Sequence, residues 1–198
     1  MGRFTSRAAG IVAGLLLTGC LGRTPAPVFY TLTVVEPTVT TAAGGADGPV
    51  LAIGPAILPS YLDRPQLVSR QGNRVSYAQY SRWAAPLESE LLRVMGANLG
   101  SLLRTNRVVV YPAEPRLPVA FRIRLQVEQF DGSPGGEVVL NVRWAIARPG
   151  SKEPDVIGAS EIRQPVAGSE DDDLVDAHSQ AVGALSREIA ERIRSLSD

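Results

Sequence analysis

The stretch Val119–Ile146 reads VAFRIRLQVEQFDGSPGGEVVLNVRWAI. Val119, Phe121, Ile123, Leu125 and Val127 alternate with Ala120, Arg122, Arg124, Gln126 and Glu128. A period of two puts one row of side chains in a core and the other in water, the mark of an antiparallel strand covered on one face. Phe130 falls out of step by one residue, which predicts a bulge before a turn over Asp131–Gly136. Val138, Leu140, Val142, Trp144 and Ile146 then resume the alternation, opposite Asn141 and Arg143. The stretch is a β-hairpin, and a half-wet hairpin needs something apolar laid over its other face.

Two helices answer that need. From Pro86 to Arg104, Leu87, Leu91, Met95, Leu99 and Leu102 recur at helical spacing, with Pro86 suited to the first turn. After Ser169, the positions Leu174, His178, Ala181, Val182, Leu185, Ile189, Ile193 and Leu196 trace a second stripe. Ser169 with Asp172 resembles a capping box, and Asp171–Asp173 put negative charge at the positive end of the helix dipole.

Shorter strands fill the intervals. Val28–Val35 (VFYTLTVV) is rich in β-branched and aromatic residues. Val50–Leu58 alternates, with Pro55 marking an edge or a bulge. Gln66–Arg70 and Arg74–Gln79 flank Gly72-Asn73, a pair with hairpin chemistry. Arg107–Tyr111 (RVVVY) is a short buried strand ended by Pro112, and Asp155–Val166 is a final one. The predicted fold class is α+β: a single domain with a mostly antiparallel sheet and two amphipathic helices packed on one face.

The N-terminus carries different information. Arg3 and Arg7 precede the apolar run Ala8–Leu17, which ends in Leu17-Thr18-Gly19-Cys20. Ten residues of helix span only about 15 Å, half of a bilayer core of about 30 Å, so the run reads as a secretory signal rather than a spanning anchor. The tetrad resembles the bacterial lipobox. There a Cys thiol takes a diacylglycerol as a thioether, the chain is cut before it, and the new amine receives a further acyl chain such as palmitate. Residues 1–19 are therefore expected to be a signal peptide. Residues 20–27, with Pro25 and Pro27, are expected to be a lipidated tether, and 28–198 the folded domain.

Removing residues 1–19 takes away Arg3 and Arg7 and leaves 18 basic residues against 20 acidic. That balance argues against non-specific nucleic-acid binding, which needs a basic face. With Lys152 the only lysine and no polybasic cluster, membrane attachment is expected through lipid on Cys20 rather than through surface charge. Cys20 is also the only cysteine, so no internal disulfide forms.

Catalytic constellations do not appear. His178, the only histidine, sits on a core stripe and reads as a packing residue; several His or Cys ligands, which zinc requires, are missing. No nucleophile elbow, phosphate loop or dinucleotide fingerprint occurs. The expectation is no enzyme, no catalytic residue, no metal and no cofactor. Two stretches are left without a role: Tyr61-Leu62-Asp63-Arg64-Pro65, bracketed by prolines, and Tyr77–Trp83 (YAQYSRW). Tyr, Trp and Arg dominate binding hot spots, so Tyr61, Leu62, Arg64 and Trp83 are the candidate contact surface. For Trp83 the alternative is packing at the start of the first helix.

Those stretches also carry a resemblance. The lipobox, then Phe29-Tyr30 and Leu32, then Ile53–Val68 with its LPSYLDRPQLV, then Arg82-Trp83-Ala84 and Pro86-Leu87 before a Leu-rich helix, resemble the ABC-type transport auxiliary lipoprotein family, nearest the paraquat-inducible protein C branch. The resemblance implies a periplasm-facing lipoprotein subunit of an MCE-type lipid-transport system. Its implied partners are an MCE-domain protein and an inner-membrane permease, and the branch implies a homo-oligomeric ring at the outer membrane. Leu21 after the Cys favours sorting to the inner leaflet of the outer membrane. Two other readings stay open: a lipoprotein regulator or pilotin that binds a secreted or cell-wall-synthesis partner, and a lipid carrier with its own cavity.

Overall fold

The computed structural model describes residues 25–36, 48–116 and 118–197. Its elements follow in the order β1 (Val28–Tyr30), β2 (Leu51–Ile57), β3 (Gln66–Gln71), β4 (Arg74–Trp83), α1 (Leu87–Leu102), β5 (Val108–Val110), β6 (Phe121–Gly132), β7 (Glu137–Ala147), β8 (Val156–Pro165) and α2 (Asp171–Ser197). The signal peptide, Cys20 and the tether up to Thr24 lie outside the described residues.

The hairpin forms as the alternation predicts. Ile123 pairs with Ile146, Leu125 with Trp144 and Val127 with Val142. The register then shifts between Val127 and Gln129, and Phe130 pairs with Leu140. The bulge is therefore present, although β6 runs on to Gly132 and shortens the turn. Its effect is to turn Phe130 into the core and leave Asp131 fully buried as well. On β7, Trp144 lies over Gly158 of β8, where an added Cβ would fall 2.2 Å from the indole, and its Nε1 donates to Ser160 Oγ at 2.8 Å.

The sheet is mixed. The long pairings β6–β7, β7–β8 and β3–β4 are antiparallel, whereas β1 on β4, and β5 and β6 on β2, are parallel. β2 thus sits between two strands instead of at an edge, and Pro55 is accommodated where its register against β6 shifts, between Ile53 and Ala56. α1 lies over β2 and β5, α2 over β6, β7 and β8, and the helices pack on each other above one continuous core. Leu174, Val182, Leu185, Ile189 and Ile193 of α2 are at most 1% exposed. At about 1.5–3 kcal/mol each, their burial contributes on the order of 10 kcal/mol before chain entropy is counted. The capping contact of α2 falls one residue later than predicted: Asp173 Oδ2 accepts the Glu170 N–H at 3.1 Å.

Only the first part of Val28–Val35 is a strand. After Tyr30 the chain leaves the sheet and straps the groove between α1 and α2, because buried helix side chains supply partners for its amides. Glu90 Oε2 accepts the Leu32 N–H at 2.9 Å, Ser179 Oγ the Thr33 N–H at 3.0 Å, and Asn98 Oδ1 the Glu36 N–H at 3.3 Å. Arg93 closes the clamp, bonding both Glu90 Oε2 at 2.6 Å and the Leu32 carbonyl at 2.7 Å. Leu32 itself is 1% exposed, and Val35 lies against Gly183 of α2.

Candidate functional site: the turn between the second and third strands

Pro59 and Pro65 bracket a turn that is hydrogen-bonded within itself and to the next layer. Leu62 N–H donates to the Pro59 carbonyl at 2.9 Å and Arg64 N–H to the Leu62 carbonyl at 2.8 Å. Trp83 N–H reaches the Pro65 carbonyl at 2.6 Å. The turn is therefore fastened to the last residue of β4, just before α1 begins.

Its four predicted contact residues part company. Leu62 and Trp83 are buried, at 1% and 4% exposure, and act as the bolts that hold the turn. The indole of Trp83 meets the His178 ring edge-on, with centroids 5.6 Å apart. Tyr61 is half-buried and points under the turn, where its hydroxyl donates to Asp131 Oδ2 at 2.6 Å. Arg64 is half-buried, with its guanidinium carbon 4.0 Å from the centre of the Tyr77 ring. Its Nε is enclosed without a hydrogen-bond partner among the described residues.

Beneath the turn lies a polar cluster that the sequence did not reveal. Arg70 Nε donates to both carboxylate oxygens of Asp131, at 2.9 and 3.1 Å, and Gln129 Nε2 donates to Oδ1 at 2.8 Å. A fully buried carboxylate survives only when several donors replace its water, and here three side chains do so. Burial, seconded by the bond to Asp131, pushes the Tyr61 phenol up to about 12. A residue read as the first of an exposed turn instead belongs to β6, on the face opposite Phe130, where Tyr61, Arg70 and Gln129 bury it.

Leu62, Arg64 and Trp83 line an open groove of about 620 Å³ together with Ile57, Leu58 and Leu87 at the start of α1. Ile57, 64% exposed, stands at its lip. The groove lining mixes apolar side chains with the charges of Asp63, Arg64 and Glu88. His178, beside Trp83, is buried and packs against Phe130 with the rings tilted by 57° and centroids 4.8 Å apart. Burial lowers its pKa, with the Leu174 carbonyl and Asp131 opposing. A histidine kept neutral and enclosed is a packing group. Among the described residues no cluster of His, Cys, Asp and Glu side chains is arranged to hold a metal, and no helix is long and apolar enough to cross a membrane.

The model of the family described as ABC-type transport auxiliary lipoprotein component matches residues 30–190. The chain belongs to that family. The match begins at Tyr30 in β1 and ends at Ala190 in the last turns of α2, so it takes in the strap, the turn and both helices. Membership makes the chain an auxiliary lipoprotein component of an ABC-type transport system, at a membrane of the cell envelope. Among solved structures, a crystal structure of an uncharacterized protein is similar with a TM-score of 0.69 at 20% identity, over 85% of this chain and 99% of that one. A DUF330 protein from Xanthomonas campestris is similar with a TM-score of 0.65 at 14% identity, over 82% of this chain and 92% of that one. At such identities the likeness establishes the fold alone. No curated protein matches the chain.

Proposed function

We propose that this auxiliary lipoprotein is a non-catalytic docking subunit of an MCE-type intermembrane lipid-transport system, acting in envelope integrity. Acylated Cys20 holds it at the periplasmic face of the outer membrane, residues 1–19 having been removed and residues 20–27 serving as the tether. Its partners are the system's MCE-domain protein, which spans the envelope from an inner-membrane permease, and further copies of itself in a ring. Energy is supplied elsewhere, and the subunit contributes position.

The observation that carries the docking role is Arg64. Its half-buried guanidinium lies against the Tyr77 ring and forms no ion pair among the described residues, and it lines a groove that also holds Ile57, which is 64% exposed. A partner that brings an acidic group to the open part of the guanidinium and an apolar side chain to Ile57 would suit both. Tyr61, Leu62 and Trp83 serve that surface by fixing its frame, and Ile57, Asp63 and Arg64 form its face.

The test is to substitute the face and leave the frame alone. Arg64→Glu and Ile57→Asp, made in the full chain, are expected to reduce capture of the MCE-domain protein from membranes and to shrink the assembly seen by native mass spectrometry, with circular dichroism unchanged. Folded variants that retain both the partner and the assembly size would refute the assignment of this face.

A further inference from the structure

Five consecutive residues at the start of the described chain, Pro25-Ala26-Pro27-Val28-Phe29, are uncharged and exposed. Val28 is 51% exposed and Phe29 60%, although both belong to a strand. We infer that this run is a membrane-contacting wedge, with Phe29 entering the interfacial layer of the bilayer that holds the acyl chains of Cys20. The inference rests on acylation of Cys20.

Chain length commits the occupant. Phe29 is nine residues from Cys20, and at no more than about 3.5 Å each those residues reach roughly 32 Å. A lipid-anchored chain therefore keeps Phe29 within that distance of the bilayer surface. Backbone chemistry favours contact as well: Pro25 and Pro27 have no N–H, so two of the five residues carry no amide donor whose hydration would be lost on entering the bilayer.

The two faces of β1 differ in charge. Tyr30 turns toward Asp172, at the acidic start of α2, and toward Ser81 of β4. Strand alternation sends Phe29 to the opposite side, where its register partner on β4 is Arg82. Arg82 forms no ion pair among the described residues. An aromatic ring beside a free guanidinium matches the bilayer interface, with the ring among acyl carbons and the cation at the phosphates. The position is also rigid. Ala84 N–H bonds the Tyr30 carbonyl at 2.8 Å and Glu90 holds Leu32, so a seated Phe29 fixes how the whole domain stands on the membrane.

Tryptophan fluorescence tests this on the mature, acylated full chain in vesicles of phosphatidylethanolamine and phosphatidylglycerol that carry a spin-labelled phospholipid. Trp83 and Trp144 are 4% and 3% exposed and give a constant background. Phe29→Trp is expected to lose most of its added emission to the quencher, while Ile157→Trp, at a position 72% exposed on β8, keeps its own. Vesicle-bound protein in which Phe29→Trp is unquenched, or in which both are quenched alike, overturns the wedge and leaves the anchor standing. Protein that fails to float with the vesicles overturns the anchor and the wedge with it.

Discussion

The hydroxyl of Tyr61 donates to the buried carboxylate of Asp131 across 70 positions of sequence, at 2.6 Å. This bond joins the proline-bracketed turn to the end of the long hairpin. Tyr61→Phe leaves Asp131 with two donors in place of three, so it is expected to cost about 1–3 kcal/mol in denaturant unfolding. The phenol's folded pKa is raised from 10.0 to about 12. A raised pKa means that the bond's stabilisation is whole below pH 10 and is lost as pH climbs through 12. The difference in stability between wild type and Tyr61→Phe should therefore narrow across that window; a constant difference would place the effect elsewhere.

His178 has the opposite sign. Its pKa is lowered from 6.5, burial being the largest cause. The unfolded chain takes up a proton near pH 6.5 while the folded chain resists, so stability falls as pH drops below 6.5. The slope approaches about 1.4 kcal/mol per pH unit for one proton. Urea midpoints measured from pH 7.5 to 5 should decline in the wild type, and His178→Gln should remove most of that slope.

The strap across the helices is tested at Gly183. A Cβ there would lie 2.1 Å from Val35 Cγ2, and a β-branched side chain has little room to turn aside. Gly183→Ala is expected to destabilise by about 1–2 kcal/mol in spite of better helix propensity. In a Val35→Ala background the obstacle is gone, and the same change should stabilise by up to about 1 kcal/mol. A double-mutant cycle in which Gly183→Ala has one value in both backgrounds would mean that the strap does not press there.

Arg104 ends α1 with a φ of 53°, left-handed backbone that a Cβ disfavours. Its side chain is exposed. Arg104→Gly is therefore expected to raise the thermal midpoint, by the equivalent of up to about 1 kcal/mol, even though a side chain has been removed.

Much of the architecture was legible because periodicity encodes it. The hairpin from Phe121 to Ala147 follows from alternation at Ile123, Leu125, Val142 and Trp144, and both helices follow from their leucine and isoleucine stripes. Two features were not legible, for the same reason. Thr31–Val35 has the composition of a strand, yet the amides of Leu32, Thr33 and the adjoining Glu36 are taken by Glu90, Ser179 and Asn98, residues 58 to 146 positions distant. Asp131 looks like a turn residue, yet it is still in β6, where Tyr61 and Arg70 cover it. Long-range polar pairing leaves no local pattern. At the candidate site, composition identified the turn, but only packing separates the buried Leu62 and Trp83 from the half-buried Arg64 and reveals the exposed Ile57 in the same groove.

The central claim is that this auxiliary lipoprotein docks an MCE-type lipid-transport complex. Its most direct test is crosslinked affinity purification of the acylated protein from membranes, read by mass spectrometry. Recovery of an MCE-domain protein, with the permease of the same system behind it, is expected. Recovery of a secretion or cell-wall-synthesis partner in its place, with no MCE-domain protein, would contradict it.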